Sequence, residues 1–168
     1  MEIYIEIVPV ADIPSEVKEF LYTHLYEPWG VDYGIDWLSA DDGGEFLIAR
    51  DTDERLVGTV RVMPSDDGSP GHPTPPECEG EIRLRQVAVD PDLRGHGIGR
   101  TLMQVAESIV SMRGFTRVGV ASREQAYAFY RACGYDFFGD EYISQLTYVP
   151  HTHMSKVIPA SKEASLQK

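Results

Sequence analysis

The sequence predicts an α/β fold, a mixed sheet with helices on its faces, from three patterns. Polarity alternates with the two-residue period of strands near the start, and apolar residues recur at three and four, as on a helix face, in two later stretches. From residue 82 onward the order is strand, crossover helix, strand, helix, strand; such crossovers are right-handed as a rule. With 168 residues, 42% of them hydrophobic, the chain can bury one substantial core. Residues 1–158 are therefore expected to form one domain, with 159–168 as a flexible tail.

Ile3, Ile5 and Ile7 alternate with Glu2, Tyr4 and Glu6, as in a half-buried strand. Pro14-Ser15 opens a helix whose apolar face is Val17, Phe20, Leu21 and Leu25. Strands are expected over 46–49 and 56–62, joined by a turn around Asp51-Thr52-Asp53. The stretch from Pro64 to Pro76 holds five prolines and predicts a mobile loop. Within 82–89, Ile82 and Leu84 share one parity and Val87 and Val89 the other. A bulge near Arg85-Gln86 or a strand covered on both faces after Gln86 would each produce that change. A helix follows from Ile98 through Leu102, Val105, Ala106 and Ile109, capped by Gly114; then come a strand over 116–120 and a helix over 124–133, stopped by Gly134.

The run Arg94-Gly95-His96-Gly97-Ile98-Gly99 lies between a strand end and a helix start. Its glycines remove the Cβ atoms that would keep an anion off the main chain, and they tolerate the positive φ that lets N–H groups converge. The helix start adds unpaired N–H groups and the positive end of its dipole. Two familiar phosphate loops do not fit. A P-loop requires Gly-Lys-Ser/Thr where this chain has Arg100-Thr101, and the dinucleotide fingerprint is G-x-G-x-x-G at a first strand, not G-x-G-x-G past mid-chain.

The string from Val87 to Gly99, VAVDPDLRGHGIG, resembles motif A of the GNAT superfamily of N-acetyltransferases. The resemblance implies a mostly antiparallel sheet with a splayed central strand, and it favours the bulge. It further implies that Arg94, Gly95, His96, Gly97, Ile98, Gly99, Arg100 and Thr101 hold the pyrophosphate of acetyl-CoA, the co-substrate. The main chain of Val87, Ala88 and Val89 would align its pantetheine and supply an oxyanion donor. The segment Ala126 to Tyr135 resembles motif B of the same family, with Tyr130 in the place of the general acid. A phenol there can protonate a departing thiolate, although a helix tyrosine also packs against a core with its hydroxyl bonded. Many members carry Asn seven residues before this tyrosine; this chain has Arg123.

An amine is protonated at neutral pH, so a base must take its proton. Glu81 is the first candidate, because it precedes Arg94 by thirteen residues, the offset of the catalytic glutamate in the histone acetyltransferase branch of the family. The plainer reading is a solvated strand-edge glutamate. His151, which titrates near working pH, is the second candidate. Gly139-Asp140-Glu141-Tyr142 and Pro150-His151-Thr152-His153-Met154 resemble the ending of ElaA-like GNAT proteins, with extra residues around 146–148. His151 and His153 share a strand face, but two ligands make an incomplete metal site, and no metal is expected. Tyr22, Tyr26, Trp29, Tyr33 and Trp37 either border an acceptor pocket, with Glu27, Asp32 and Asp36 steering an ammonium, or close one end of the core.

The net charge of −12 argues against nonspecific nucleic-acid binding, which needs basic side chains. It favours a cationic acceptor or simply keeps the protein soluble. The first residues lack the basic start of a signal peptide, and no run has membrane-spanning length. Two well-separated cysteines suit the reducing cytoplasm. The expected activity is transfer of an acetyl group from acetyl-CoA to a primary amine, on a small molecule or a peptide, by direct attack. The alternative is a non-catalytic acyl-CoA-binding sensor or interaction module. No nucleic-acid or membrane partner is expected, and a homodimer stays open.

Overall fold

The computed structural model describes residues 1–33, 43–66, 71–145 and 147–161. Its strands follow the order β1-β2-β3-β4-β5-β7-β6 in a mixed seven-stranded sheet, where β1 is Tyr4–Pro9, β2 Glu45–Arg50, β3 Leu56–Val62, β4 Ile82–Val89, β5 Arg117–Arg123, β6 Asp136–Ile143 and β7 Pro150–Val157. The helices are α1 (Ser15–Leu21), α2 (Ile98–Met112) and α3 (Tyr127–Ala132). The chain packs as two compact units, one of residues 1–64 and 85–104, the other of residues 65–84 and 105–168, with β4 and α2 each divided between them.

In the first unit β1 pairs with β2 and β2 with β3, both antiparallel. The expected alternation in β1 holds at Ile3 and Ile5 but turns over after them: Ile7 is exposed while Val8 is half-buried and Val10 buried, as the strand passes into a 3₁₀ turn at Val10–Asp12. Phe46 to Ala49, Val57, Val60 and Val62 are fully buried with Val17 and Leu21 of α1 and Leu102 of α2. Each large aliphatic side chain so covered contributes about 1.5–3 kcal/mol. Gly58 is required by close approach, since a Cβ there would crowd Leu102, Ile98 and the Ala88 carbonyl. The chain continues past α1 as a π-helical turn at Tyr22–Tyr26 and a 3₁₀ turn at Glu27–Trp29. Tyr26 is buried; Tyr22 is half-buried, with its hydroxyl on the Val31 carbonyl and its ring against exposed Tyr33. The Tyr26 end of the aromatic cluster thus belongs to the core, while Trp37 and Asp36 lie outside the described residues.

In the second unit β5 pairs antiparallel with β7 over its whole length, and the first residues of β4, Ile82–Leu84, run parallel to Val118–Val120. β6 pairs with β7 on either side of an irregularity between Phe138 and Tyr142, where Gly139 takes φ 74°. Both glycine stops are realised. Gly114 (φ 90°) and Gly134 (φ 97°) end their helices with the bond pattern of a Schellman cap, Phe115 N–H donating to the Val110 carbonyl and Tyr135 N–H to that of Tyr130. The Pro64–Pro76 stretch is tied down in part, because Arg83 donates to the His72 carbonyl at 3.1 Å and to Thr74 Oγ1 at 2.9 Å.

Candidate active site

The glycine loop belongs to the first unit, and its anchor is Asp90. Buried at the end of β4, Asp90 donates its N–H to the Val57 carbonyl (2.9 Å). Its carboxylate accepts from Asp92 N–H at 3.0 Å and from Arg55 Nη2 at 2.6 Å. Pro91–Leu93 then forms a 3₁₀ turn, with the Asp90 side chain as its cap. Beyond it Arg94, Gly95, His96 and Gly97 are exposed, with φ 87° at Gly95 and 77° at Gly97. A Cβ added at either glycine would meet nothing within 4 Å, so the main chain lies open to an approaching group. Buried Ile98 fixes the helix start, and Thr101 bonds back to the Gly97 carbonyl through both N–H and hydroxyl, each at 3.0 Å. Arg94, His96 and Arg100 surround this start with exposed basic groups in an otherwise acidic chain. An anion at such a helix start gains up to about 2 kcal/mol from the dipole alone.

The phase change in β4 falls at a residue of unusual backbone conformation. Gln86 takes φ 44°, the left-handed region, which costs a residue with a side chain about 1–3 kcal/mol. Neighbours hold it there: Thr59 Oγ1 donates to its carbonyl at 2.9 Å and its Nε2 donates to Tyr26 Oη at 3.1 Å. Ile82, Arg83 and Leu84 are all buried, and from there burial alternates, with Gln86 and Ala88 buried and Arg85, Val87 and Val89 half-buried. The change of phase is thus one of side-chain polarity, with a glutamine taking an inward position.

The remaining candidates lie in the second unit. Tyr130 on α3 is 6% exposed, edge-on to Phe129 and Tyr135, and its hydroxyl makes no hydrogen bond among the described residues. Burial pushes the phenol pKa upward, so it holds its proton at neutral pH. Its neighbour Tyr127 bonds Thr152 at 2.6 Å.

Glu81 is enclosed. It is 2% exposed, accepts from Ser155 Oγ at 2.8 Å, and lies 2.7 Å from His153 Nε2 and 3.5 Å from Arg83 Nε. The His153 approach is close in distance but poorly aligned as a hydrogen bond. The carboxylate also rests on Gly119, where any Cβ would overlap it. The solvated-edge reading of Glu81 does not hold. Cys78 Sγ completes a group of three metal-ligand types with Glu81 and His153. Arg83 beside the carboxylate and Arg117 Nη1 at 3.9 Å from the thiol fit a compensated buried anion better than a dication. His153 thus pairs with Glu81, while His151 belongs to a different cluster.

His151 is 5% exposed, and its Nδ1 lies 2.8 Å from the Val149 carbonyl. A carbonyl only accepts, so Nδ1 carries the hydrogen and Nε2 keeps a lone pair. Burial, with Arg123 adding to it, lowers the pKa below the usual imidazole value. His151 is therefore neutral at physiological pH and able to take a proton. Its ring meets His72 and Tyr142 at centroid distances of 5.1 and 6.0 Å. Sequence patterning marked neither Asp90 nor His72 as part of a site. The Asp-Pro step after a strand was the available signal for Asp90; His72 gave none.

Comparison with known proteins bears on the family and the fold. The model of the family described as "Acetyltransferase (GNAT) family" matches residues 12–135. An uncharacterised N-acetyltransferase of Bacillus subtilis, YesJ, is 30% identical over 111 residues, covering 60% of this chain and 57% of its own. The chain matches 55 to 64% of the length of such curated relatives. Among solved structures, the FeeM N-acyl amino acid synthase from uncultured soil microbes superposes with a TM-score of 0.70 at 17% identity, over 99% of both chains. Escherichia coli ElaA gives 0.64 at 20% identity, over 92% of this chain and 99% of its own. At such identities the structural likeness speaks to the fold. Among the described residues no helix is long and apolar enough to cross a membrane.

Proposed function

The chain belongs to the GNAT family of acetyltransferases, and from that premise we propose that it moves an acetyl group from acetyl-CoA to a primary amine by direct attack. The observation that carries the reading is the open main chain at Gly95 and Gly97 ahead of α2. A coenzyme pyrophosphate needs converging N–H groups that no side chain blocks, and the exposed Arg94 and Arg100 add compensating charge. Thr101 and Ile98 fix the helix start that bears those groups. Val87, Ala88 and Val89 offer their main chain to the pantetheine arm, and the left-handed turn at Gln86 directly precedes them.

Each remaining residue has one task. His151 takes the proton of the acceptor ammonium on Nε2, so that a neutral amine attacks the thioester. A main-chain N–H of the 87–89 segment bonds the carbonyl oxygen as charge collects on it. Tyr130, which keeps its proton through burial, gives it to the departing sulfur. Glu81 is the weaker choice as base, since its enclosed carboxylate already accepts from Ser155 and lies beside His153 and Arg83.

A second reading is supported by that enclosure and by the burial of Tyr130: the fold binds acyl-CoA without turning it over. Thiol release from acetyl-CoA across a panel of primary amines separates the two. Amine-stimulated release that falls in Tyr130→Phe supports catalysis. Calorimetric binding with no release under any amine supports a binding module, and absence of acetyl-CoA binding sinks both.

A further inference from the structure

Gln86 departs from two local rules at once. It holds φ 44° although it carries a side chain, and its Oε1 is a buried acceptor that makes no hydrogen bond among the described residues. Both departures oppose folding, and such sites persist where function holds them. We propose that Thr59 is a positioning residue for the transfer: through the Gln86–Val87 peptide it aims the Val87 N–H at the thioester oxygen. The inference rests on reading the 87–89 main chain as the donor to that oxygen.

The argument starts from one planar group. The Gln86–Val87 peptide is trans, so the Gln86 carbonyl and the Val87 N–H point in opposite directions. Thr59 Oγ1 donates to that carbonyl at 2.9 Å, which turns the Val87 N–H away from Thr59. Thr59 is itself well fixed, being fully buried, β-branched and paired with Ile48 of β2. At the far end of the segment the Asp90 N–H donates to the Val57 carbonyl at 2.9 Å. Val57 and Thr59 of β3 therefore pin the chain just before Val87 and just after Val89, and the Gln86–Val87 unit cannot turn over without giving up the Thr59 bond.

The Gln86 side chain provides a second hold. Its Nε2 donates to Tyr26 Oη at 3.1 Å, so the residue is tied at the tip as well as at the carbonyl. No bond is made or broken at Thr59 or Tyr26 during the transfer; their part is orientation. A main-chain donor helps an oxyanion only if it is in place before charge collects, and a small error in its placement forfeits much of the gain.

Amine-stimulated thiol release, with the most active amine of the panel, tests the assignment. Thr59→Val keeps the shape and removes the donor. Its kcat should fall about thirtyfold while KM for acetyl-CoA stays within about twofold, the pattern of an interaction made in the transition state. Thr59→Ser restores the hydroxyl and should return kcat to within about threefold of wild type. A packing role would reverse that order, because valine keeps the volume that serine lacks. Tyr26→Phe frees Gln86 at its tip and should lower kcat about fivefold. A wild-type kcat in Thr59→Val, or a Thr59→Ser protein as slow as Thr59→Val, would overturn the positioning role and leave the transfer standing. If valine unfolds the chain, the other two variants decide, and a wild-type kcat in Tyr26→Phe overturns the role. Absence of release from the wild type with every amine overturns transfer and positioning together.

Discussion

The glycine loop and the Glu81 cluster deal with charge in opposite ways. Around Gly95 and Gly97 the chain is exposed, and what it offers is main chain with positive partial charge. Around Glu81 the groups are buried and drawn together: one carboxylate seated on Gly119 accepts from Ser155, with His153 and Arg83 beside it. The first arrangement leaves main chain uncovered; the second encloses its charges. Substitutions should therefore register as lost affinity in the loop and as lost stability in the cluster.

The sharpest break of this contrast is Gly119→Ala. Its Cβ would drive the Glu81 carboxylate off its partners, and stranding a buried charge costs about 3–5 kcal/mol, to be measured by urea unfolding. A wild-type midpoint would mean that Glu81 is not seated there. Next in size, Tyr130→Phe should reduce amine-stimulated thiol release by about a hundredfold while calorimetric affinity for acetyl-CoA stays put. Gly97→Ala tests the other side. Its Cβ would enter open space, so only the left-handed φ is penalised: stability should fall by about 1 kcal/mol and acetyl-CoA affinity by roughly tenfold. The smallest effect is a pH slope. His151 has a folded pKa below its unfolded one, so the unfolded chain binds its proton first. Its contribution to stability is complete above about pH 6.5 and is lost as pH falls from there through the lower folded value. In His151→Gln that part of the acid slope should vanish from unfolding curves.

Legibility in the sequence divides along the same line. The glycine loop and the two Schellman caps depend on local conformation, so residue type and spacing revealed them. The helices and strands were legible for the same reason, through their periods. The Glu81 cluster was not, because Cys78, Glu81, Gly119, His153 and Ser155 meet only through the pairing of β4, β5 and β7. The change of phase marked an irregularity near Arg85-Gln86, but the hydrogen bonds that hold Gln86 come from Thr59 and Tyr26 in remote segments and were not legible. The His72 segment read as a loop from its prolines, but only the folded chain brings Arg83 to the His72 carbonyl and Tyr142 to the His72 ring. Motif B gave Tyr130 a place; burial and the raised phenol pKa required the packed helix.

Gln86 also bears on efforts to engineer this protein. A residue kept in an unfavourable conformation by distant hydrogen bonds is the first place that a campaign for heat resistance would relax, with glycine as the obvious replacement. The gain in melting temperature would come with a looser strand just upstream of the 87–89 segment, so a hardier variant selected without an activity screen would tend to be a slower one.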